Sequence, residues 1–130
     1  MAGSSAIFSK VAFGGDNVNP NRMELLITWI ADSANASVPT VPILFPGWRI
    51  ERVVTKPGSP APAIYGLTFV DILDGYDIMA GTLASRSATL AEAVVPAGVI
   101  RIASGGFTWT HGGATNNNAQ GYCRIMISKA

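Results

Sequence analysis

The chain has 130 residues, a length typical of a single domain that buries a core without cross-links. Nine basic residues nearly balance eight acidic ones and are dispersed singly, so the charge pattern argues against a nucleic-acid or membrane-surface partner. Charged residues make up 13% of the chain, against about 25% in typical soluble domains. We therefore expect another protein, or other copies of the chain, to cover part of its surface.

The single cysteine, Cys123, cannot form an internal disulfide, which fits a reducing compartment or a particle assembled in the cytoplasm. The N-terminus lacks a charged leader followed by an apolar run. No apolar stretch approaches the roughly 18 residues needed to cross a bilayer. We expect neither a signal peptide nor a transmembrane helix.

Residues 1–21 are predicted to form an N-terminal arm or edge strand, and residues 22–130 a single β domain. The first strong strand is predicted over 23–31, where period-two alternation places four large apolar side chains on one face: Met23, Leu25, Ile27 and Trp29. Prolines interrupt the apolar run 41–45, which therefore predicts an edge strand or extended loop. Alternation resumes over 48–56, with Trp48, Ile50, Arg52 and Val54 on one face.

A β-hairpin is predicted around Asp74-Gly75, because a type I′ turn needs positive φ at both central residues and Asp-Gly tolerates it. In that register Leu73 pairs with Tyr76. Both faces of the hairpin are more apolar than a free hairpin should be. One face is expected to form core and the other, which carries Tyr76 and Met79, to contact a partner.

Further short strands are predicted over 99–103, 107–110 and 122–129, the last with Cys123, Ile125 and Ile127 facing one way. Residues 89–92 match a helix capping box, but the residues after them favour extended structure. Eight to ten short strands without a convincing long helix predict an all-β fold, a jelly-roll-like β-sandwich.

Neither candidate chemical cluster in the sequence predicts catalysis, a metal site or a cofactor. The acidic residues Asp71, Asp74 and Asp77 are expected to serve turn geometry, since the hairpin register separates the first from the last. His111 and Cys123 form no expected dyad, because the cysteine lies at a core-facing position. A ligand platform made of Trp109 and Asn117, suited to a sugar or a peptide edge, stays open as an alternative.

Four motifs occur in order along the chain: Lys-Pro-Gly-Ser-Pro-Ala-Pro at 56–62, Asp-Ile-Leu-Asp-Gly-Tyr-Asp-Ile at 71–78, Gly81, and Arg86-Ser87. Together they resemble a group of small virion structural proteins of tailed bacteriophages, over roughly residues 48–96. The resemblance implies a head protein on the capsid surface, assembled in the host cytoplasm. Such a protein decorates or cements the capsid lattice by contact rather than by catalysis.

The expected partners are the major capsid protein and other copies of the chain. The predicted contact residues lie in the arm, the proline loop and the hairpin: Phe8, Phe13, Pro57, Pro60, Pro62, Tyr76 and Met79. Prolines favour such a role because they lower the ordering cost on binding. Two alternatives remain, namely a tail or head-completion component and a carbohydrate-binding β-sandwich.

Overall fold

The computed structural model describes residues 5–15, 20–34, 36–59, 62, 65–112 and 116–129. Within these residues the chain forms eight β-strands and no helix. The strands are β1 (Ser5–Gly15), β2 (Pro20–Ile30), β3 (Val41–Ile43), β4 (Arg49–Pro57), β5 (Leu67–Asp71), β6 (Glu92–Val94), β7 (Phe107–His111) and β8 (Gln120–Ser128).

The strands form two antiparallel sheets, which confirms the predicted all-β fold class and agrees with a β-sandwich. The large sheet has the order β1-β2-β8-β4-β6 and the small sheet the order β3-β7-β5. From β3 onward, each strand lies in the opposite sheet from the strand before it. Residues 5–15 form the edge strand of the large sheet, whereas a jelly-roll topology and a separate N-terminal arm stay predictions.

The core lies between the inner faces of the two sheets. The large sheet contributes the predicted apolar faces of β2 and β8, and every one of these side chains is buried: Met23, Leu25, Ile27, Trp29, Cys123, Ile125 and Ile127. The small sheet contributes Phe69 and Phe107, whose rings stack 4.7 Å apart. Strict alternation over strands buried on one face explains why the sequence predicted these positions correctly.

The predicted alternation of β4 is wrong beyond Ile50, because the strand contains a β-bulge between Ile50 and Arg52. Val53 and Thr55 are therefore buried, whereas Arg52 is exposed. A bulge adds one residue to one strand and moves the following side chains to the opposite face. The bulge keeps the Arg52 guanidinium in solvent, and burying this charge without a partner would cost free energy.

The predicted hairpin register is also wrong. Asp77 bridges to Val70 rather than to Ile72, and residues 76–91, which follow the turn, form no regular strand. The Asp71 amide donates to the Tyr76 carbonyl (2.8 Å), which leaves a four-residue loop in place of a two-residue one. Gly75 alone within that loop has positive φ (76°), so the turn is not type I′.

The capping-box residues form no helix. The Ser87 hydroxyl accepts hydrogen bonds from the amides of Thr89 (3.1 Å) and Leu90 (2.9 Å), and the Glu92 carboxylate accepts one from the Ser87 amide (2.5 Å). These bonds close a turn that leads into β6. Side-chain to backbone bonding of this kind competes with helix formation.

Candidate contact surfaces

The loop after β5 forms an exposed feature that we call the hairpin tip, residues 72–76. The buried carboxylate of Asp71 stabilises this loop, since its Oδ2 accepts a hydrogen bond from the Asp74 amide (2.7 Å). The Asp71 carbonyl accepts a second one from the Gly75 amide (2.8 Å). The Ile72 amide also donates to the Gly106 carbonyl (3.1 Å), which ties the tip to a neighbouring turn.

A second carboxylate, that of Asp77, fixes the chain where it leaves the tip. Its Oδ1 accepts from the amides of Phe69 (3.0 Å) and Met79 (3.1 Å), and its Oδ2 from the amide of Gly81 (2.8 Å). Asp71 and Asp77 thus act on backbone amides, as expected for residues that serve turn geometry. These bonds give the tip a fixed shape.

The hairpin tip is largely apolar. Ile72, Leu73 and Tyr76 are 44%, 65% and 55% exposed, and Leu44, which is 64% exposed, lies close by. A methyl group built on Gly105 would lie 2.7 Å from Leu73 Cγ, and one on Gly106 would lie 3.0 Å from Leu44 Cδ2. Because these two glycines have no side chain, Leu73 and Leu44 can pack against them at the same end of the sandwich. The exposed carboxylate of Asp74 follows Leu73 in the chain.

The outward side of the large sheet, here the outer sheet face, combines apolar and cationic side chains. Ile7 on β1, Thr28 on β2 and Tyr122 on β8 lie side by side across the sheet. The Arg124 guanidinium lies 5.0 Å from the Tyr122 ring centroid, within range of a cation–π interaction. In the next row Leu26 and Val54 flank Arg124. The outer sheet face therefore combines apolar and aromatic side chains with a guanidinium group and carries few carboxylates.

A cavity of about 270 Å³, here the outer-face groove, opens on the outer sheet face, and its lining combines β2, β4, β8 and the residue after β6. The lining residues are Arg22, Glu51, Arg52, Val95, Met126 and Ile127. The Glu51 carboxylate is engaged by Arg49 (2.7 Å) and by the Ser128 hydroxyl, and these hydrogen bonds hold its pKa below the ordinary value. Arg22 and Arg52 form no ion pair with the described residues.

The predicted ligand platform is wrong for Trp109, which is fully buried and offers no ring face to a ligand. It lies on the inner side of β7, because the alternation of that strand directs Phe107, Trp109 and His111 into the core. Asn117 is exposed on the following loop. The structure therefore separates the two residues that a sugar platform would need together.

His111 belongs to a buried aromatic cluster with Trp29 and Tyr65. The imidazole stacks on the Tyr65 ring (4.8 Å, 7°) and meets the Trp29 ring edge-on (4.3 Å, 60°). Gly121 permits this packing, since a methyl group there would lie 2.6 Å from the Trp29 ring. Burial lowers the pKa of His111 to about 4 and raises the pKa of Cys123 to about 12, so an imidazolium–thiolate pair does not form at neutral pH.

Acidification is expected to destabilise the fold through His111. In the unfolded chain the imidazole takes up a proton below its ordinary pKa of 6.5, whereas in the folded chain it does so only near 4. The free energy of unfolding should therefore fall as the pH drops from 6.5 to 4, by about 3 kcal/mol in total. Urea titrations across this range test the effect. His111→Phe keeps an aromatic ring and should flatten the slope; an unchanged slope would contradict the assignment.

The remaining predicted contact residues differ in how far they are exposed to solvent. Tyr76 is exposed as predicted, but Met79 is 1% exposed and Pro62 is also buried, so the predicted exposure of both is wrong. Phe8 is half-buried and packs against the core, because it opposes Ile27 on the inner side of the large sheet. Pro57 ends β4 and is half-buried.

Two further predicted contact residues lie partly or wholly outside the described residues. Phe13 opposes Arg22 in the β1–β2 register, and its side chain lies outside the described residues, as does Pro60 entirely. Sequence reasoning missed Leu44 and the groove arginines. The β4 bulge concealed Arg52, which strict alternation places on the same face as Ile50.

Among the described residues, no group of three or more histidine, cysteine, aspartate or glutamate side chains could hold a metal ion. The same part of the chain contains no helix long and apolar enough to span a membrane. No protein-family model matches the chain, and neither the curated proteins nor the solved structures include a significant match to it. The surfaces of the protein itself therefore provide the basis for its proposed function.

Proposed function

We propose that this protein decorates or cements the head of a tailed bacteriophage by binding the lattice of the major capsid protein. It would lie on the capsid surface as a jelly-roll-like sandwich that acts by contact and also touches other copies of itself. The alternation of successive strands between the two sheets supports the jelly-roll part of the proposal. The phage assignment is supported by the motif resemblance of residues 48–96.

The observation that carries the proposal is the outer sheet face. Its four long strands have 9 to 11 residues each. With strands roughly 4.8 Å apart and about 3.3 Å per residue, they present a surface of about 600 Å² before side-chain relief is added. Stable interfaces bury about 800 Å² per partner, so the area of this face is of the same order as a stable contact.

The chemistry of the outer sheet face also favours protein contact. Tyr122 and Arg124, which are of types enriched in interface cores, lie together near its middle. The one carboxylate on β2, that of Glu24, is neutralised by Arg124 at 3.2 Å. A partner surface with apolar and acidic groups would match this face.

A matched pair of substitutions tests the proposal. Thr28 is exposed on the outer side of the large sheet and Thr68 is exposed on β5 of the small sheet. We expect Thr28→Glu to weaken binding to undecorated phage heads at least about tenfold, which corresponds to about 1.4 kcal/mol. Thr68→Glu should bind like the wild type. Cosedimentation with purified heads measures both.

Copy number separates this proposal from its alternatives. Quantitative mass spectrometry of purified particles should find the protein in numbers comparable to the major capsid protein. A few copies per particle would favour a tail or head-completion component instead. Failure of the wild type to bind any phage head, or equal binding of the two glutamate variants, would count against the decorating role.

A further inference from the structure

We propose that the hairpin tip of one copy inserts into the outer-face groove of a second copy, placing Asp74 between Arg22 and Arg52 of that second copy. This head-to-tail contact would link neighbouring copies. It rests on the proposed function only for its setting on a capsid, since the contact itself needs nothing but this chain. The groove lies at the Arg22–Ser128 end of the large sheet, whereas the capsid contact is proposed around Thr28 and Tyr122 further along the same strands, so the two contacts use different parts of the outer sheet face.

The hairpin tip carries a carboxylate without a partner in the described chain. Among the described residues, Asp74 is the exposed carboxylate whose oxygens accept no hydrogen bond and form no ion pair. The others are engaged by neighbouring groups: Glu24, Asp32, Glu51, Asp71, Asp77 and Glu92. A lone carboxylate on an apolar tip is suited to a cationic recess in a partner.

The outer-face groove supplies that recess. Its own carboxylate, Glu51, accepts hydrogen bonds from Ser128 and Arg49 and acts on Arg22 only through space, so Arg22 and Arg52 form no ion pair with the described residues. Guanidinium groups bind carboxylates through paired, charge-assisted hydrogen bonds. The groove therefore offers the positive charge with which the Asp74 carboxylate could pair.

Size and apolar character also match. The groove volume of about 270 Å³ is below the roughly 300–1,000 Å³ of sites for drug-sized ligands, which suits one or two protein side chains. Val95, 68% exposed, and Met126 provide an apolar wall. Leu73, 65% exposed and next to Asp74, provides the apolar side chain to cover it.

The hairpin tip is already held in shape by the Asp71 and Asp77 carboxylates. Little conformational entropy is therefore lost when it docks. The tip follows a strand of the small sheet and the groove lies on the large one, so a single chain carries both halves at separate places. Contacts of this kind repeat into rings or open chains. The small area makes the contact weak in solution and stronger between copies held side by side.

Charge reversal tests the contact without any phage particle. Sedimentation velocity at low ionic strength should show concentration-dependent association of the wild type. Asp74→Arg alone, or Arg22→Glu with Arg52→Glu, should each lower the association constant at least about tenfold. A mixture of the two variants should recover association, because an intact tip on one then meets an intact groove on the other. Circular dichroism checks that each variant is folded.

Cysteine cross-linking gives a second measurement, since the native Cys123 is buried and its thiol will not compete. Leu73→Cys with Val95→Cys should give a ladder of cross-linked species under mild oxidation, whereas Thr68→Cys with Val95→Cys should not. Reversal variants that associate like the wild type, a mixture that fails to recover association, or a monomeric wild type with no selective ladder would each overturn the proposal. A positive result alongside failure to bind phage heads would keep this contact and reject the capsid role.

Discussion

Met79→Glu is expected to unfold the domain. The Met79 side chain is 1% exposed and belongs to the core, although strand alternation alone places it on an outward face. A glutamate there would bury a carboxylate among apolar groups, a cost of several kcal/mol. Since folded domains are stable by only about 5–15 kcal/mol, we expect loss of the cooperative transition or a sharply lowered midpoint in urea. Circular dichroism and urea titration measure this.

Tyr76→Glu is the matched control, three residues earlier in the chain, on the hairpin tip. Its side chain is 55% exposed, and its backbone carbonyl, not its side chain, accepts the hydrogen bond from the Asp71 amide. The free energy of unfolding of the variant should therefore lie within about 0.5 kcal/mol of the wild-type value. Self-association through the hairpin tip should nevertheless weaken. If Met79→Glu were as stable as Tyr76→Glu, the assignment of Met79 to the core would be wrong.

Trp109→Ala is expected to lower the free energy of unfolding by about 3–5 kcal/mol, the usual cost of deleting a fully buried large aromatic side chain. Trp109 is 0% exposed and opposes Val41 and Phe69 in the middle of the small sheet. The lost transfer free energy and the resulting cavity add together. Urea titration at neutral pH, where His111 is uncharged, provides the measurement.

Asn117→Ala serves as the comparison, because Asn117 is exposed on the loop before β8 and should be replaceable within about 0.5 kcal/mol. A surface sugar platform would reverse this pattern, with Trp109→Ala abolishing glycan retention at little cost in stability. A stable Trp109→Ala protein that no longer binds a glycan array bound by the wild type would favour the carbohydrate-binding alternative.

The correct predictions from sequence have a common cause. In β2 and β8 one face is buried along the whole strand, so a local period of two is enough to identify the core positions. For β3 the local signal was a proline: Pro42 indicated an edge position, and the strand lies at the edge of the small sheet. Turn chemistry for Asp71 and Asp77 was predictable because aspartate side chains bond nearby amides.

The sequence by itself determined the all-β class, the main core faces and the low fraction of charged residues. The tertiary structure alone decided where those patterns shift: the bulge after Ile50, the four-residue turn held by buried Asp71 and the burial of Met79. It also brought Arg22 and Arg52 to one groove from separate strands. The physical reason is that period and turn propensity are local, whereas bulges, buried carboxylate bonds and grooves depend on residues distant in the chain.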